Sequence, residues 1–66
     1  MSNVRLFFSE SLSINLNSEL DKLQSHYLAK VMRLKVGEFF SLFNQSGEWE
    51  AEIDEISKGI IKFTVT

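Results

Sequence analysis

The chain has 66 residues, of which 44% are hydrophobic and 24% are charged, a composition typical of one soluble folded domain with no room for a second. It contains no cysteine, which excludes disulfides and thiolate metal sites and fits the cytoplasm. Its longest apolar runs are three residues, far below the roughly 18 that a membrane-spanning helix needs. We therefore expect no membrane partner and a fold stabilised by packing alone.

The two halves of the chain differ in charge, and this asymmetry matters more for the choice of partner than the net charge of −2. Residues 1–35 carry five Lys or Arg and three Asp or Glu, whereas residues 36–66 carry two and six. A polyanion is therefore expected to approach the first half.

Two short strands are predicted at the start of the chain. In residues 4–8, Val4, Leu6 and Phe8 alternate with Arg5 and Phe7, which is the period of two that a strand requires. Turn residues end the segment at 9–11. Leu12, Ile14 and Leu16 alternate with polar residues, which predicts a second, weaker strand at an edge of the sheet.

A helix is predicted over residues 19–32, where the apolar spacing changes to three and four. Asn17 or Ser18 is the expected N-cap, and Gly37 ends any continuation. The apolar stripe that should face the core consists of Leu20, Leu23, Tyr27, Leu28 and Val31.

Three strands linked by hairpins are predicted over residues 38–44, 48–56 and 60–66, with three-residue loops that end in Gly47 and Gly59. Five short strands and one helix are expected to close into a small β-barrel, because closure removes open sheet edges. The fold class is therefore mainly β. The side chains expected inside are Leu6, Phe8, Leu28, Val31, Phe40, Leu42, Trp49, Ala51, Ile53, Ile61, Phe63 and Val65.

The second face of the first hairpin strand is apolar too, because Phe39 and Phe43 point away from Phe40. Something is expected to cover that face. An outward Phe7 or Phe39 close to a basic side chain is alternatively suited to stack on a nucleobase.

Catalysis by this chain is not expected. One histidine, no cysteine and no glycine-rich loop leave no nucleophile with its base, no metal site and no cofactor cradle. The acidic residues at alternate positions of 48–54 are more typical of a solvated strand face than of the paired carboxylates of a hydrolase.

A basic ridge is predicted along the helix, because Lys22, His26 and Lys30 recur every four residues and Arg33 follows three later. Such a row is either an ordinary solvated helix face or a surface for phosphates. His26 is alternatively a structural histidine held by a hydrogen bond. On the phosphate interpretation, the residues predicted to bind RNA are Arg5, His26, Lys30, Arg33 and Lys35.

Several runs of the chain resemble the RsmE family, the bacterial 16S ribosomal RNA uridine-N3 methyltransferases. The most similar is HYLAKVMRLKVGE at residues 26–38. RLF at 5–7 precedes it, and LFN at 42–44 and AEI at 51–53 come after it, in the same order as in the family. Tyr27 stands where the family usually has a second histidine, and the hairpin turn that follows LFN is longer than the family's Asp-Gly turn.

The resemblance implies a PUA-like barrel over residues 1–66 that binds small-subunit ribosomal RNA. It also implies a separate knotted SPOUT domain, absent from this chain, that binds S-adenosylmethionine, methylates the RNA and forms a homodimer. We therefore expect an RNA-binding module without cofactor or methyltransferase activity of its own. The alternative is a structural barrel that packs on the catalytic domain or a dimer mate without RNA contact. That the chain is itself an enzyme is the third and least favoured interpretation.

Overall fold

The computed structural model describes residues 4–66, which form one five-stranded sheet and one helix. The helix, α1 (Lys22–His26), continues directly into a π-helical turn (Tyr27–Val31). The prediction of a mainly β fold with about five strands and one helix is confirmed. The strands are β1 (Arg5–Phe7), β2 (Asn17–Glu19), β3 (Phe39–Asn44), β4 (Gly47–Ser57) and β5 (Ile60–Val65).

The sheet is open, with the strand order β1-β3-β4-β5-β2, so the predicted closure into a barrel is wrong. β1 pairs in parallel with β3 and β2 pairs antiparallel with β5, but these two edge strands do not pair with each other. Each edge strand has only three residues. The helix contacts one of them, because Gln24 Nε2 donates a hydrogen bond of 2.8 Å to the Phe7 carbonyl of β1.

The second strand lies further along the chain than the apolar alternation of residues 12–16 predicts. Leu12 is buried, but Ile14 is exposed and Asn15 has a φ of 71°, which belongs to a turn. Residues 17–19 then pair with β5, with Asn17 opposite Thr64 and Glu19 opposite Lys62. Backbone pairing with β5 has decided the position of the strand, rather than side-chain alternation.

The three hairpin-linked strands are confirmed, with loops one residue shorter than predicted. β3 and β4 join through residues 45–46, and the Asn44 side chain accepts a hydrogen bond of 2.8 Å from the Ser46 amide. β4 and β5 join through Lys58 and Gly59, whose φ angles of 53° and 77° are those of a type I′ turn. A two-residue turn of this type matches the right-handed twist of the strands, which explains why it replaces a longer loop between β4 and β5.

The core lies on one face of the sheet beneath the helix. Nine of the twelve side chains predicted inside are buried, and Leu6 and Trp49 are partly buried and pack against them. Val31 is exposed, so its predicted burial is wrong. The ring of Phe63 lies 5.7 Å from that of Phe40 in an edge-to-face arrangement. The buried residues are Val4, Phe8, Leu12, Leu20, Leu28, Phe40, Leu42, Ala51, Ile53, Ile61, Phe63 and Val65.

The helix begins at Lys22 rather than at residue 19, because Glu19 belongs to β2. Asp21 is the N-cap in place of Asn17 or Ser18, with its carboxylate accepting a hydrogen bond of 2.8 Å from the Gln24 amide. This arrangement satisfies one of the free amides of the first helical turn.

Candidate nucleic-acid interface

Ser25 sets the orientation of the helix on the sheet. Its side chain is completely buried, and its hydroxyl accepts a hydrogen bond of 2.9 Å from the Ile61 amide of β5. The same hydroxyl donates to the Leu20 carbonyl at 3.4 Å. The small side chain allows the helix to approach β5 closely, so that Ser25 and Leu28 form its inward face.

The apolar stripe predicted to face the core is therefore mostly on the outside. Leu23 is 84% exposed, Val31 60% and Tyr27 42%. The other two members of the predicted stripe, Leu20 and Leu28, are buried. The spacing of the apolar residues fits a helix face, but it does not reveal that a serine and a leucine already fill the contact with the sheet. Residues 23, 27 and 31 form an exposed apolar row at four-residue intervals.

The helix ends in strained backbone. The Met32 amide donates to the Tyr27 carbonyl at 2.9 Å in the five-residue pattern of a π-helix, and the Leu34 amide donates to the Leu28 carbonyl at 2.9 Å. Between them, Arg33 has a φ of 59°, a left-handed conformation that costs a residue other than glycine about 1–2 kcal/mol. π-helical turns and such backbone outliers both occur frequently at functional sites.

The predicted basic ridge is exposed along its whole length. Between residues 22 and 36 there is no Asp or Glu. Within residues 4–66, these basic side chains form no ion pair and no side-chain hydrogen bond. The His26 side chain is exposed, and within residues 4–66 no hydrogen bond supports its interpretation as a structural histidine. We call the exposed row and these bases the helix surface: Lys22, Leu23, His26, Tyr27, Lys30, Val31, Arg33 and Lys35.

Arg5, the fifth predicted RNA-binding residue, lies on β1 and already has partners. Its Nε and Nη2 atoms donate hydrogen bonds of 3.2 Å to the two carboxylate oxygens of Glu48. Its guanidinium also lies over the Phe43 ring, 5.1 Å from the ring centroid. The structure therefore places four of the five predicted residues within one stretch and leaves Arg5 occupied on the sheet.

The outward side chains of β1, β3 and β4 form a second surface, the outer sheet face. Phe7 and Phe39 are both exposed on it, as predicted. The cover expected for Phe43 consists of Arg5 and of the Phe7 ring, whose centroid lies 5.7 Å away. Carboxylates stand opposite these rings, since Glu48 and Glu52 pair with Phe43 and Phe39. This face is aromatic but acidic, which disfavours approach by a polyanion.

Two further features concern the described residues alone. No helix in residues 4–66 is long and apolar enough to cross a bilayer. No group of three or more acidic or histidine side chains in that range has the arrangement of a metal site.

Comparison with known proteins gives one family match and several similar folds. A family model described as the RNA methyltransferase PUA domain matches residues 20–66. A structure from Legionella pneumophila, described as a candidate methyltransferase with bound SAM, is 21% identical, with a TM-score of 0.89 over 100% of this chain and 28% of that one. No curated protein matches the chain in sequence.

Two more solved structures are similar. A ribosomal RNA small subunit methyltransferase E from Neisseria gonorrhoeae, bound to S-adenosyl methionine, is 22% identical, with a TM-score of 0.83 over 94% of this chain and 26% of that one. A hypothetical protein is 21% identical, with a TM-score of 0.76 over 92% of this chain and 27% of that one. The chain thus spans little more than a quarter of the length of the proteins it resembles, and the likeness to them is one of fold.

Proposed function

We propose, from the premise that the chain belongs to the RNA methyltransferase PUA domain family, that it is the RNA-binding module of a ribosomal RNA methyltransferase. The RNA is that of the small subunit, and the modified position is a uridine N3, as the resemblance to the RsmE family implies. The observation that carries the proposal is the helix surface. Its basic side chains have no ion-pair partner in residues 4–66, and residues 22–36 contain no Asp or Glu. Such a surface attracts phosphates.

We assign the phosphate contacts to Lys30, Arg33 and Lys35, with His26 as a polar neighbour and Arg5 as a contact that must first leave Glu48. The left-handed Arg33 supports this assignment, because a glycine would serve the backbone better at that position. The fold needs a left-handed residue just past the end of the helix but does not need an arginine there.

Catalysis and S-adenosylmethionine binding belong, in this proposal, to a separate domain that also forms the homodimer. The methyl transfer that the cofactor supplies would therefore occur elsewhere, with this module holding the RNA. We place the protein in the cytoplasm, in keeping with its lack of cysteine.

The second candidate function is docking on the catalytic domain without RNA contact. It is favoured by the exposed apolar side chains of the helix surface, Leu23 and Val31 above all. In that case the bases border a protein interface, and removing them leaves RNA affinity unchanged.

Salt dependence of RNA binding tests the proposal. Affinity for a fluorescein-labelled single-stranded segment of small-subunit ribosomal RNA is measured by fluorescence anisotropy at several salt concentrations, for the native chain and for a Lys30→Ala, Arg33→Ala variant. The log-log slope should become flatter by about 1.4, since each phosphate contact on a single strand contributes about 0.7. The thermal midpoint should change little, because exposed charges contribute little to stability.

A Lys58→Ala, Lys62→Ala variant is the matched control. It removes the same charge from exposed positions on the β4–β5 hairpin, so its slope should equal that of the native chain. Equal flattening in both variants would indicate attraction by net charge alone. An unchanged slope in the helix variant would contradict RNA binding by the helix surface and favour the docking function.

A further inference from the structure

The exposed apolar row of the helix surface has no role in phosphate binding. Leu23, Tyr27 and Val31 lie on one face, and the exposed fractions of their side chains are 84%, 42% and 60%. Apolar side chains scattered singly on a surface need no explanation, but a continuous row does. Because Ser25 and Leu28 form the buried side of the helix, packing within residues 4–66 leaves all three side chains of the row exposed.

The row is bordered by bases on a single side. Lys22, His26 and Lys30 each precede one member of the row by one residue, so they lie along one flank at the same spacing. The opposite flank turns inward through Ser25 and Leu28. A ligand that fits this surface has a flat apolar part and a negative charge on one side of it.

We infer that this row receives the face of an unpaired nucleobase, with the Tyr27 ring as the stacking platform. The basic side chains of the flank then contact phosphates of the same RNA strand. The inference rests on the proposed RNA-binding function and specifies its substrate class as single-stranded or looped RNA.

The chemistry favours an unpaired base over a duplex. Within a duplex, the faces of the bases are covered by their neighbours and only phosphates and groove edges are offered. A duplex would therefore contact the basic side chains of the flank and leave the apolar row exposed. Aromatic stacking supplies sequence-tolerant affinity for single strands, in combination with a basic track along the backbone.

Charge also favours RNA over a protein partner on this row. A protein partner would need an apolar surface with acidic groups placed to match the flank. Residues 22–36 contain no Asp or Glu that could pair with basic groups of such a partner. A polyanion with exposed rings satisfies both features of the surface at once.

The test compares substitutions of Tyr27 on three RNAs of one sequence: a single strand, its duplex and a hairpin with an unpaired loop. Tyr27→Leu keeps an apolar side chain but removes the ring, so affinity for the single strand and the loop should fall at least about fivefold. Affinity for the duplex and the salt slope on all three RNAs should stay unchanged. Tyr27→Phe keeps the ring and should retain the native affinities.

Phe39→Leu is the matched control for removal of a ring. Phe39 is 37% exposed, similar to Tyr27, but it lies on the acidic outer sheet face opposite Glu52. Its substitution should leave all three affinities unchanged. Photocrosslinking with an RNA that carries 5-iodouridine should attach the RNA to the peptide containing Tyr27 and not to those containing Phe7 or Phe39.

The outcomes separate this inference from the proposed function. If Tyr27→Leu binds all three RNAs as well as the native chain while Lys30→Ala, Arg33→Ala flattens the slope, the inference is overturned and the RNA-binding function stands. Equal losses on single strand and duplex would also overturn it, because the ring would then act without regard to pairing. If neither set of substitutions affects binding, both are wrong.

Discussion

The helix surface and the outer sheet face treat exposed charge in opposite ways. On the outer sheet face, the guanidinium of Arg5 is shared between the carboxylate of Glu48 and the ring of Phe43, so cation, anion and aromatic ring satisfy one another. On the helix surface, the bases form no ion pair within residues 4–66 and the apolar row beside them is exposed. Interactions within residues 4–66 account for the charged side chain of the outer sheet face but not for the basic and apolar side chains of the helix surface. That difference indicates where a ligand would bind.

The largest effect expected is a difference in unfolding free energy between substitutions on the two sides of the helix. Leu28→Ala removes a completely buried side chain and should lower the free energy of unfolding by about 2–5 kcal/mol. Leu23→Ala makes the same change on the exposed side and should cost less than about 0.5 kcal/mol. Urea unfolding followed by circular dichroism measures both. Comparable losses in the two variants would mean that both sides of the helix are packed, and a larger loss in Leu23→Ala would mean that the helix buries the opposite face.

The helix is also where prediction from the sequence was least complete. The strands from Phe39 onward were predicted nearly to the residue, because strict alternation and glycine-containing turns leave one register that buries Phe40, Ala51 and Phe63 together. In the helix, the same rule selected Leu23 and Val31 for the core. A buried serine that accepts a backbone hydrogen bond from a distant strand leaves no trace in an apolar pattern.

The candidate site was predicted in part for a similar reason. Four-residue spacing was sufficient to place His26 and Lys30 on one exposed ridge with Lys22. The pairing of Arg5 with Glu48 was not foreseeable, since it depends on strand β3 lying between β1 and β4. The role inferred for Tyr27 was not predicted, because Tyr27 was counted only as a member of the apolar stripe, although its position within a basic stretch was the signal that could have indicated it.

A second prediction concerns where the helix begins. Asp21→Ala removes the carboxylate that caps the Gln24 amide and should cost about 1 kcal/mol of unfolding free energy. Ser18→Ala changes one of the caps expected from the sequence, which lies instead in β2, and should change stability by less than about 0.5 kcal/mol. Chemical unfolding under identical conditions compares the two. The reverse order of losses would place the helix start earlier in the chain.

A third prediction separates backbone strain from RNA contact on the helix surface. Arg33→Gly relieves a left-handed residue but adds chain entropy to the unfolded state, so the free energy of unfolding should stay the same or rise by up to about 1 kcal/mol. RNA affinity should fall nevertheless, and its salt slope should flatten by about 0.7.

Lys58→Gly is the control for Arg33→Gly, because Lys58 is a base with a φ of 53° in the β4–β5 turn. It should show the same stability effect with no change in RNA affinity or salt slope. If both glycine variants keep full affinity, Arg33 has no phosphate contact and its conformation needs another explanation.

The smallest effect expected is a gain, and it tests whether the outer sheet face takes part in binding. The exposed Arg5–Glu48 pair contributes only about 0.2–1 kcal/mol, so Glu48→Gln should cost little stability while releasing the guanidinium of Arg5. If Arg5 is an RNA contact that must leave Glu48, this variant should bind RNA up to about fivefold more tightly, because the competing carboxylate is gone. Adding Arg5→Ala should abolish the gain. Glu52→Gln removes a charge from the same strand without touching Arg5, so by itself it should give a smaller gain that Arg5→Ala does not reverse. Anisotropy titrations of these variants with one RNA, combined as a double-mutant cycle, isolate the coupling between Arg5 and Glu48. A coupling of zero would confine RNA binding to the helix surface.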